Sequence, residues 1–187
     1  YITAGAKIIK TPEEIFKTAE LIVKVKEPQM NEVDMIKEGQ IIYTYLHLAA
    51  SKELTLGLMK SKSVCIAYET VEDNNGSLPL LVPMSEVAGR MATQEGAKYL
   101  EKPMGGRGIL LGGVSGVEPA NVLIIGGGIS GTEAAKMAVG LQANVTILDT
   151  SEKRLNELNE LFDNKINCLI STKEIIENEA KNADLII

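Results

Sequence analysis

The sequence has no tryptophan, a single histidine, two cysteines and only 4% aromatic residues, and each shortage narrows what the protein can be. Because aromatics are so few, the hydrophobic core must be built from aliphatic side chains. Cys65 and Cys168 each lie inside an apolar run, which favours buried reduced thiols over a disulfide or a metal-binding framework. We therefore predict no metal site.

Long apolar runs and basic clusters are also missing. No mainly apolar stretch reaches the roughly 18 residues that a membrane helix needs. The 19 basic and 25 acidic residues give a net charge of −6 with no patch of Lys and Arg, so neither nucleic acid nor a membrane is expected as a partner. The 187 residues, 45% of them hydrophobic and 24% charged, are instead typical of a globular protein of one or two domains.

Short apolar runs alternate with helical patterns along the chain. Thr11-Pro12-Glu13-Glu14 is typical of a helix start, and Ser51 is a candidate N-cap for a helix that reaches about residue 60. Strands that alternate with helices at this spacing predict parallel sheets joined by right-handed crossovers. The predicted strands cover residues 21–25, 40–45, 64–68, 121–125, 144–148, 167–170 and 185–187.

A long helical stretch and a glycine-rich segment separate the two sets of strands. The helix is predicted over residues 84–101 and the loop over residues 102–116. We place the domain boundary near residue 82, so that residues 1–82 form one domain and residues 83–187 a second one, entered by the linking helix. The predicted fold class is α/β, with two doubly wound parallel-sheet domains.

The strongest motif follows the strand at 121–125. Gly126-Gly127-Gly128-Ile129-Ser130-Gly131 fits G-x-G-x-x-G between a buried strand and a helix-forming segment. The next strand ends at Asp149, 18 residues beyond Gly131 and close to the expected spacing of about 20. The motif glycines permit the tight turn, the approach of the backbone to a pyrophosphate, and close packing of the helix on the strand. The second domain is therefore predicted to be a Rossmann NAD-binding fold.

Two nearby side chains extend this interpretation. Asp149 can accept hydrogen bonds from both ribose hydroxyls and would repel a 2′-phosphate, which favours NAD over NADP. Arg154 either lies over the adenine or near the phosphates, or is a solvated helix residue. The structural alternative is an ordinary glycine-rich turn with Asp149 as a surface carboxylate. We favour the nucleotide site because strand, helix and acid occur together.

Polar residues also follow three predicted strands of the first domain. Lys26, His47 and, less clearly, Glu69 lie at or just beyond strand ends, and open α/β sheets bind ligands outside the carboxyl ends of their strands. From the residues alone, His47 could equally be a core histidine and Lys26 a solvated strand end.

Several segments carry a resemblance to a known family. Residues 23–28, 45–50, 67–70, 83–90 and 105–108 have the order and approximate spacing found in bacterial L-alanine dehydrogenases, a family that includes related transhydrogenase alpha subunits. The resemblance runs through essentially the whole chain. It implies reversible oxidative deamination of L-alanine to pyruvate and ammonia with NAD, in a cytoplasmic enzyme that forms a homo-oligomer, usually a hexamer.

The resemblance also implies roles for individual residues. Lys26 is expected to bind the substrate, His47 to act as acid and base, and Ser85 to contact the cofactor. Asp149 is the expected ribose acid. We place further cofactor contacts at the motif glycines and their neighbours, namely Gly126, Gly128, Ile129, Ser130, Gly131 and Arg154.

Family members begin upstream with a strand that carries a substrate-binding arginine, and they continue past Ile187 through a catalytic aspartate. We therefore expect an internal fragment in which both domains are incomplete and which is inactive alone. Two alternatives stay open, a non-catalytic NAD-binding module and a transhydrogenase alpha-type subunit. Lys26 and His47 argue against the first, because a binding module needs neither.

Overall fold

Parallel strands form two separate sheets in the computed structural model, which describes residues 1–187. The chain divides into two units, Tyr1–Leu81 and Val82–Ile187, and each unit contains one of the sheets. The predicted α/β class with parallel sheets is confirmed. No helix is both long enough and apolar enough to cross a membrane.

The first unit is built on a three-stranded sheet of order β1-β2-β3. Ile42 at the centre of β2 is fully buried and lies in a core of aliphatic side chains with Phe16. Thr44 and Ala67 are register partners, so β2 and β3 end at the same level. The strands are β1 (Leu21–Val23), β2 (Ile41–Thr44) and β3 (Val64–Ala67), and the helices are α1 (Pro12–Thr18), α2 (Met30–Val33) and α3 (Lys52–Ser61), with short 3-10 turns at Ile2–Ala4, Leu48–Ala50 and Tyr68–Thr70.

Local sequence explains where the helices begin. The hydroxyls of Thr11 and Ser51 accept the backbone N–H groups of Glu14 and Leu54, at 3.4 and 3.2 Å, and so cap α1 and α3. Four strands are shorter than predicted, β1 and β2 by two residues, and β3 and the last strand, Leu185–Ile186, by one. β1 ends at Val23, because only long bonds of 3.2 and 3.3 Å join the sheet to the residues beyond it. α2 ends at Val33, where the chain changes to i to i+3 bonds.

The second unit has a four-stranded sheet of order β6-β5-β4-β7. Counted within the unit this is 3-2-1-4, the order in which a Rossmann sheet begins. Val122, Ile124 and Ile147 fill its core against small alanines of α5. The strands are β4 (Asn121–Ile125), β5 (Asn144–Asp149), β6 (Asn167–Ile170) and β7 (Leu185–Ile186), and the helices are α4 (Val82–Tyr99), α5 (Ile129–Gly140), α6 (Glu152–Leu161) and α7 (Lys173–Asn182), with a 3-10 turn at Lys102–Met104.

The long helix α4, predicted as a link between the halves, packs on α5 inside the second unit. The fully buried Thr93 hydroxyl donates to the Ala134 carbonyl at 2.9 Å, and Arg90 pairs with the buried Glu133 carboxylate at 2.8 Å. A Cβ added at Gly89 would lie 2.1 Å from the Ser130 carbonyl oxygen, so glycine is needed for this close approach.

The two cysteines are partly buried and free, which is less complete burial than the sequence predicts. Burial raises the pKa of the Cys168 thiol.

Candidate nucleotide and acid-base sites

The glycine-rich turn between β4 and α5 depends on two of its glycines for its shape. Gly126 has a φ of 103°, in the left-handed region that side chains rarely adopt. A Cβ on Gly131 would lie 1.9 Å from the Gly126 carbonyl oxygen, so only glycine lets the helix begin this close to the strand. These two positions are fixed by folding, whatever binds there.

Gly128 is different, because the fold itself does not require a glycine there. A Cβ at this position would meet no atom within 4 Å, and its φ is ordinary at −66°. Gly128 is the N-cap of α5. It has no side chain that could accept a hydrogen bond, so the first N–H groups of the helix stay free to donate to a ligand. The turn therefore offers open space in front of a helix N-terminus, the arrangement that receives a phosphate.

Asp149 lies at the edge of this turn. It is the last residue of β5, and its carboxylate accepts the N–H of Gly127 at 2.8 Å and the N–H of Ser151 at 2.9 Å. No cation pairs with it. A carboxylate without a cationic partner beside the glycine turn can accept hydrogen bonds from ribose hydroxyls and would repel the 2′-phosphate of NADP.

Arg154, in the first turn of α6, is held within the protein. Its Nε donates to the Gly127 carbonyl at 2.7 Å and its Nη2 to the Thr132 hydroxyl at 2.8 Å, while Nη1 pairs with Glu157 at 2.8 Å. Only 33% of the side chain is exposed, so the solvated alternative does not describe it. In this structure Arg154 braces the glycine turn; a contact with the cofactor stays a prediction.

Ser85 and Ser130 join α4 to the start of α5, next to the glycine turn. The Ser130 hydroxyl donates to the Ser85 carbonyl at 3.0 Å. Ile129 and Ser130 are exposed in the first turn of α5, whereas Ser85 is half-buried in α4. The predicted cofactor residues of the second unit are therefore neighbours around one turn.

In the first unit, Lys26, His47 and Glu69 lie at the ends of the strands together with a fourth residue, Glu27. The Lys26 ammonium lies 3.4 Å from Oε1 of Glu27, and the His47 Nε2 lies 3.9 Å from Oε2 of the same carboxylate. Lys26 is 73% exposed and His47 52% exposed, so His47 is no core histidine. The Thr44 hydroxyl donates to the Lys26 carbonyl at 3.0 Å and so fixes the segment after β1 against β2.

Glu27 is the residue that sequence reasoning missed. The sequence shows it only as a charged neighbour of Lys26, and its one signal is its place before Pro28, which holds the preceding residue extended. A hydrogen bond from its own backbone N–H lowers the pKa of Glu27, against burial that raises it, and Lys26 and His47 lower it further. Its Oε2 is buried with no hydrogen-bond partner. The cluster is thus an imidazole and an ammonium on either side of an ionised carboxylate.

Glu69 stands on the other side of His47. Its carboxylate accepts the N–H of His47 at 2.7 Å and that of Leu46 at 3.0 Å. Burial raises the pKa of Glu69, but the N–H groups of Glu69, His47 and Leu46 outweigh it, so the pKa is lowered. The imidazole also stacks on Tyr45, with 6.1 Å between ring centroids. An imidazole can exchange protons near neutral pH, and here one carboxylate lies beside the ring and another beside its backbone.

Both units match models of one protein family. The alanine dehydrogenase/PNT N-terminal domain matches residues 1–88, and the alanine dehydrogenase/PNT C-terminal domain matches residues 92–187. The chain belongs to the alanine dehydrogenase/PNT family. The resemblance noted in the sequence is confirmed.

Individual members of the alanine dehydrogenase/PNT family match this chain over its whole length. The alanine dehydrogenases of Methanococcus maripaludis and Bacillus subtilis are 56% and 52% identical to the chain over all 187 residues. A solved L-alanine dehydrogenase is 50% identical with a TM-score of 0.87, covering 100% of this chain and 51% of its own. A transhydrogenase from Sinorhizobium meliloti, 20% identical with a TM-score of 0.75 over 100% of this chain and 54% of its own, shares the fold. The chain spans about half the length of the curated relatives it matches, 50% and 49% for the two named here.

Proposed function

We propose that the protein containing this chain catalyses the NAD-dependent, reversible oxidative deamination of L-alanine to pyruvate and ammonia. The observation that carries the proposal is the match to proteins named alanine dehydrogenase along the entire chain, through both the acid-base cluster and the glycine turn.

The residues around the glycine turn fit a dinucleotide. Gly126 and Gly131 shape the turn, Gly128 leaves it open, and Ile129 and Ser130 begin the helix whose free N–H groups would face the pyrophosphate. Asp149 would hold the adenosine ribose, with Ser85 and Arg154 as further cofactor contacts. When bound, NAD accepts the hydride from the α-carbon of alanine.

Lys26 and His47 supply the remaining chemistry. The Lys26 ammonium pairs with the carboxylate of the substrate or stabilises the negative charge that develops on the carbonyl oxygen. His47 takes and returns the protons that move as the amine becomes an imine and water adds to it. Glu27 lies within 4 Å of both side chains, 3.4 Å from Lys26 and 3.9 Å from His47, and so links the two groups.

The test is NADH formation from L-alanine at alkaline pH, where the amine is unprotonated. It compares the 187-residue chain with a version continued at both ends to the length of its relatives, called the extended chain below. We expect turnover in the extended chain. If the extended chain binds NAD but never reduces it with alanine, the protein is a binding module and the proposal is wrong.

Two further proposals rest on the family resemblance. We infer that the intact protein is a homo-hexamer and that it acts in the cytoplasm in amino-acid catabolism. Analytical ultracentrifugation of the extended chain tests the first, and fractionation of cells that produce it tests the second. A monomer, or recovery with the membrane fraction, would contradict them.

A further inference from the structure

Glu69 reaches the end of a neighbouring strand because of how β3 ends. β2 and β3 stop at the same level, with Thr44 opposite Ala67. The chain then enters the 3-10 turn Tyr68–Thr70, which carries the Glu69 carboxylate back over the residues that follow β2. The carboxylate thus meets the chain just before and at His47.

The carboxylate is the acceptor for two backbone N–H groups there. Oε1 accepts from His47 at 2.7 Å and from Leu46 at 3.0 Å, and Oε2 lies 3.2 Å from the Leu46 nitrogen. No backbone carbonyl accepts either N–H. Leu46 is 2% exposed, so its N–H would otherwise be buried without a partner. Hydrogen bonds to an ionised carboxylate are stronger than neutral ones, so Glu69 dominates the local backbone geometry.

That geometry is unusual at His47. Its φ is 49° and its ψ 39°, in the left-handed region that a residue other than glycine seldom occupies and that needs support from its surroundings. The same backbone angles decide where the imidazole points. The ring is stacked on Tyr45 at 24° between planes, and its Nε2 is directed to within 3.9 Å of the Glu27 carboxylate.

We propose that Glu69 is a positioning residue, whose carboxylate holds the His47 backbone left-handed and thereby aims the imidazole for its acid-base role. The orientation of the imidazole follows from the geometry alone, whereas its use in catalysis rests on the proposed function. Glu69 itself touches neither reacting atoms nor cofactor in this account.

NMR tests the geometric part of the proposal and requires no enzymatic activity. The imidazole signals of His47 are identified as those that disappear in His47→Gln. In the extended chain, the amide protons of Leu46 and His47 should shift together as the pH is lowered through the titration of Glu69. In Glu69→Ala both amides and the imidazole signals should move, whereas in Glu72→Gln, an exposed carboxylate on the same segment, they should not. Unmoved amides in Glu69→Ala overturn the proposal.

The catalytic half is tested by steady-state kinetics on the same variants. We expect kcat with alanine to fall by about tenfold or more in Glu69→Ala with an unchanged KM for NAD, since only proton transfer is disturbed. Glu69→Gln keeps an acceptor oxygen and should recover part of the rate.

The outcomes separate the two claims. A Glu69→Ala variant with wild-type kcat overturns the positioning role while leaving the proposed function intact. A wild type without alanine oxidation refutes the proposed function, and the amide shifts then decide the geometric claim alone. If Glu69→Ala does not fold, Glu69→Gln and the titration of the wild type carry the same comparisons.

Discussion

Three glycine-to-alanine substitutions around α5 should have three different effects. Each adds the same methyl group, at Gly131, Gly128 or Gly140. At Gly131 the new Cβ would lie 1.9 Å from the Gly126 carbonyl oxygen and 3.2 Å from Cγ2 of Ile124. Carbon and carbonyl oxygen normally approach to about 3.3 Å, so the overlap is roughly 1.4 Å. The obstacle is backbone, which cannot rotate away as a side chain can.

The size of the effect follows from this overlap. Overpacking of this kind typically costs about 1–3 kcal/mol. For a protein of this length each kcal/mol lowers Tm by about 2–4 °C, so Gly131→Ala should melt roughly 2–12 °C below the wild type. Gly140, at the end of the same helix, has nothing within 4 Å of an added Cβ. Gly140→Ala should therefore raise stability by about 0.5–1 kcal/mol.

Gly128→Ala separates binding from folding. Its Cβ meets no protein atom, so the change in stability should stay within about 1 kcal/mol, the scale of an N-cap substitution. The methyl group would instead occupy the space where we place the pyrophosphate, and we expect NAD affinity to fall about tenfold or more, which is about 1.4 kcal/mol.

The assay pairs thermal unfolding, followed by circular dichroism, with calorimetric titration of NAD for each variant. Gly140→Ala is the matched control and should bind NAD as the wild type does. Equal melting temperatures for Gly131→Ala and Gly140→Ala would refute the packing argument. Wild-type NAD affinity in Gly128→Ala would remove that residue from the cofactor site.

Three further outcomes are expected of single substitutions. Asp149→Ala should lose the preference for NAD over NADP, measured by titrating both cofactors, and an unchanged preference would contradict the ribose assignment. In the extended chain, His47→Ala and Lys26→Ala should each lower turnover by about a hundredfold or more with little loss of NAD affinity, and near-wild-type turnover would return that residue to a structural role. Because the pKa of Glu69 is lowered in the folded chain, its stabilising effect is complete above the unfolded carboxyl value of about 4.3 and is lost as the pH falls through the folded value. Glu69→Gln should therefore flatten the acid limb of stability against pH, and identical limbs would contradict the hydrogen bonds drawn to that carboxylate.

Elements defined by local chemistry could be predicted from the sequence. The caps at Thr11 and Ser51 act over one helical turn, and the apolar strands 121–125 and 167–170 are bounded by polar or glycine residues that mark their ends. The glycine motif could be interpreted because its neighbouring strand, helix and acid are close in sequence. Such patterns are predictive because the residues that form them are close to each other in the sequence.

Features that depend on contacts between distant segments could not be predicted. Glu27 meets His47 only because β1 and β2 are neighbours, a distance of 20 residues in the chain. Arg154 reaches Gly127 from a later helix and so becomes a brace instead of a solvated residue. The left-handed backbone of His47 is hydrogen-bonded to Glu69, in the 3-10 turn that follows β3, and no local sequence pattern predicts it.

Isotope transfer shows whether this chain belongs to a protein that oxidises alanine with NAD. The extended chain is incubated with NAD and L-alanine carrying deuterium on its α-carbon, and the products are analysed by mass spectrometry. We expect the deuterium in the reduced nicotinamide and an equal amount of unlabelled pyruvate, since the hydride leaves that carbon for the cofactor. Tight binding of NAD with no labelled NADH would contradict the account.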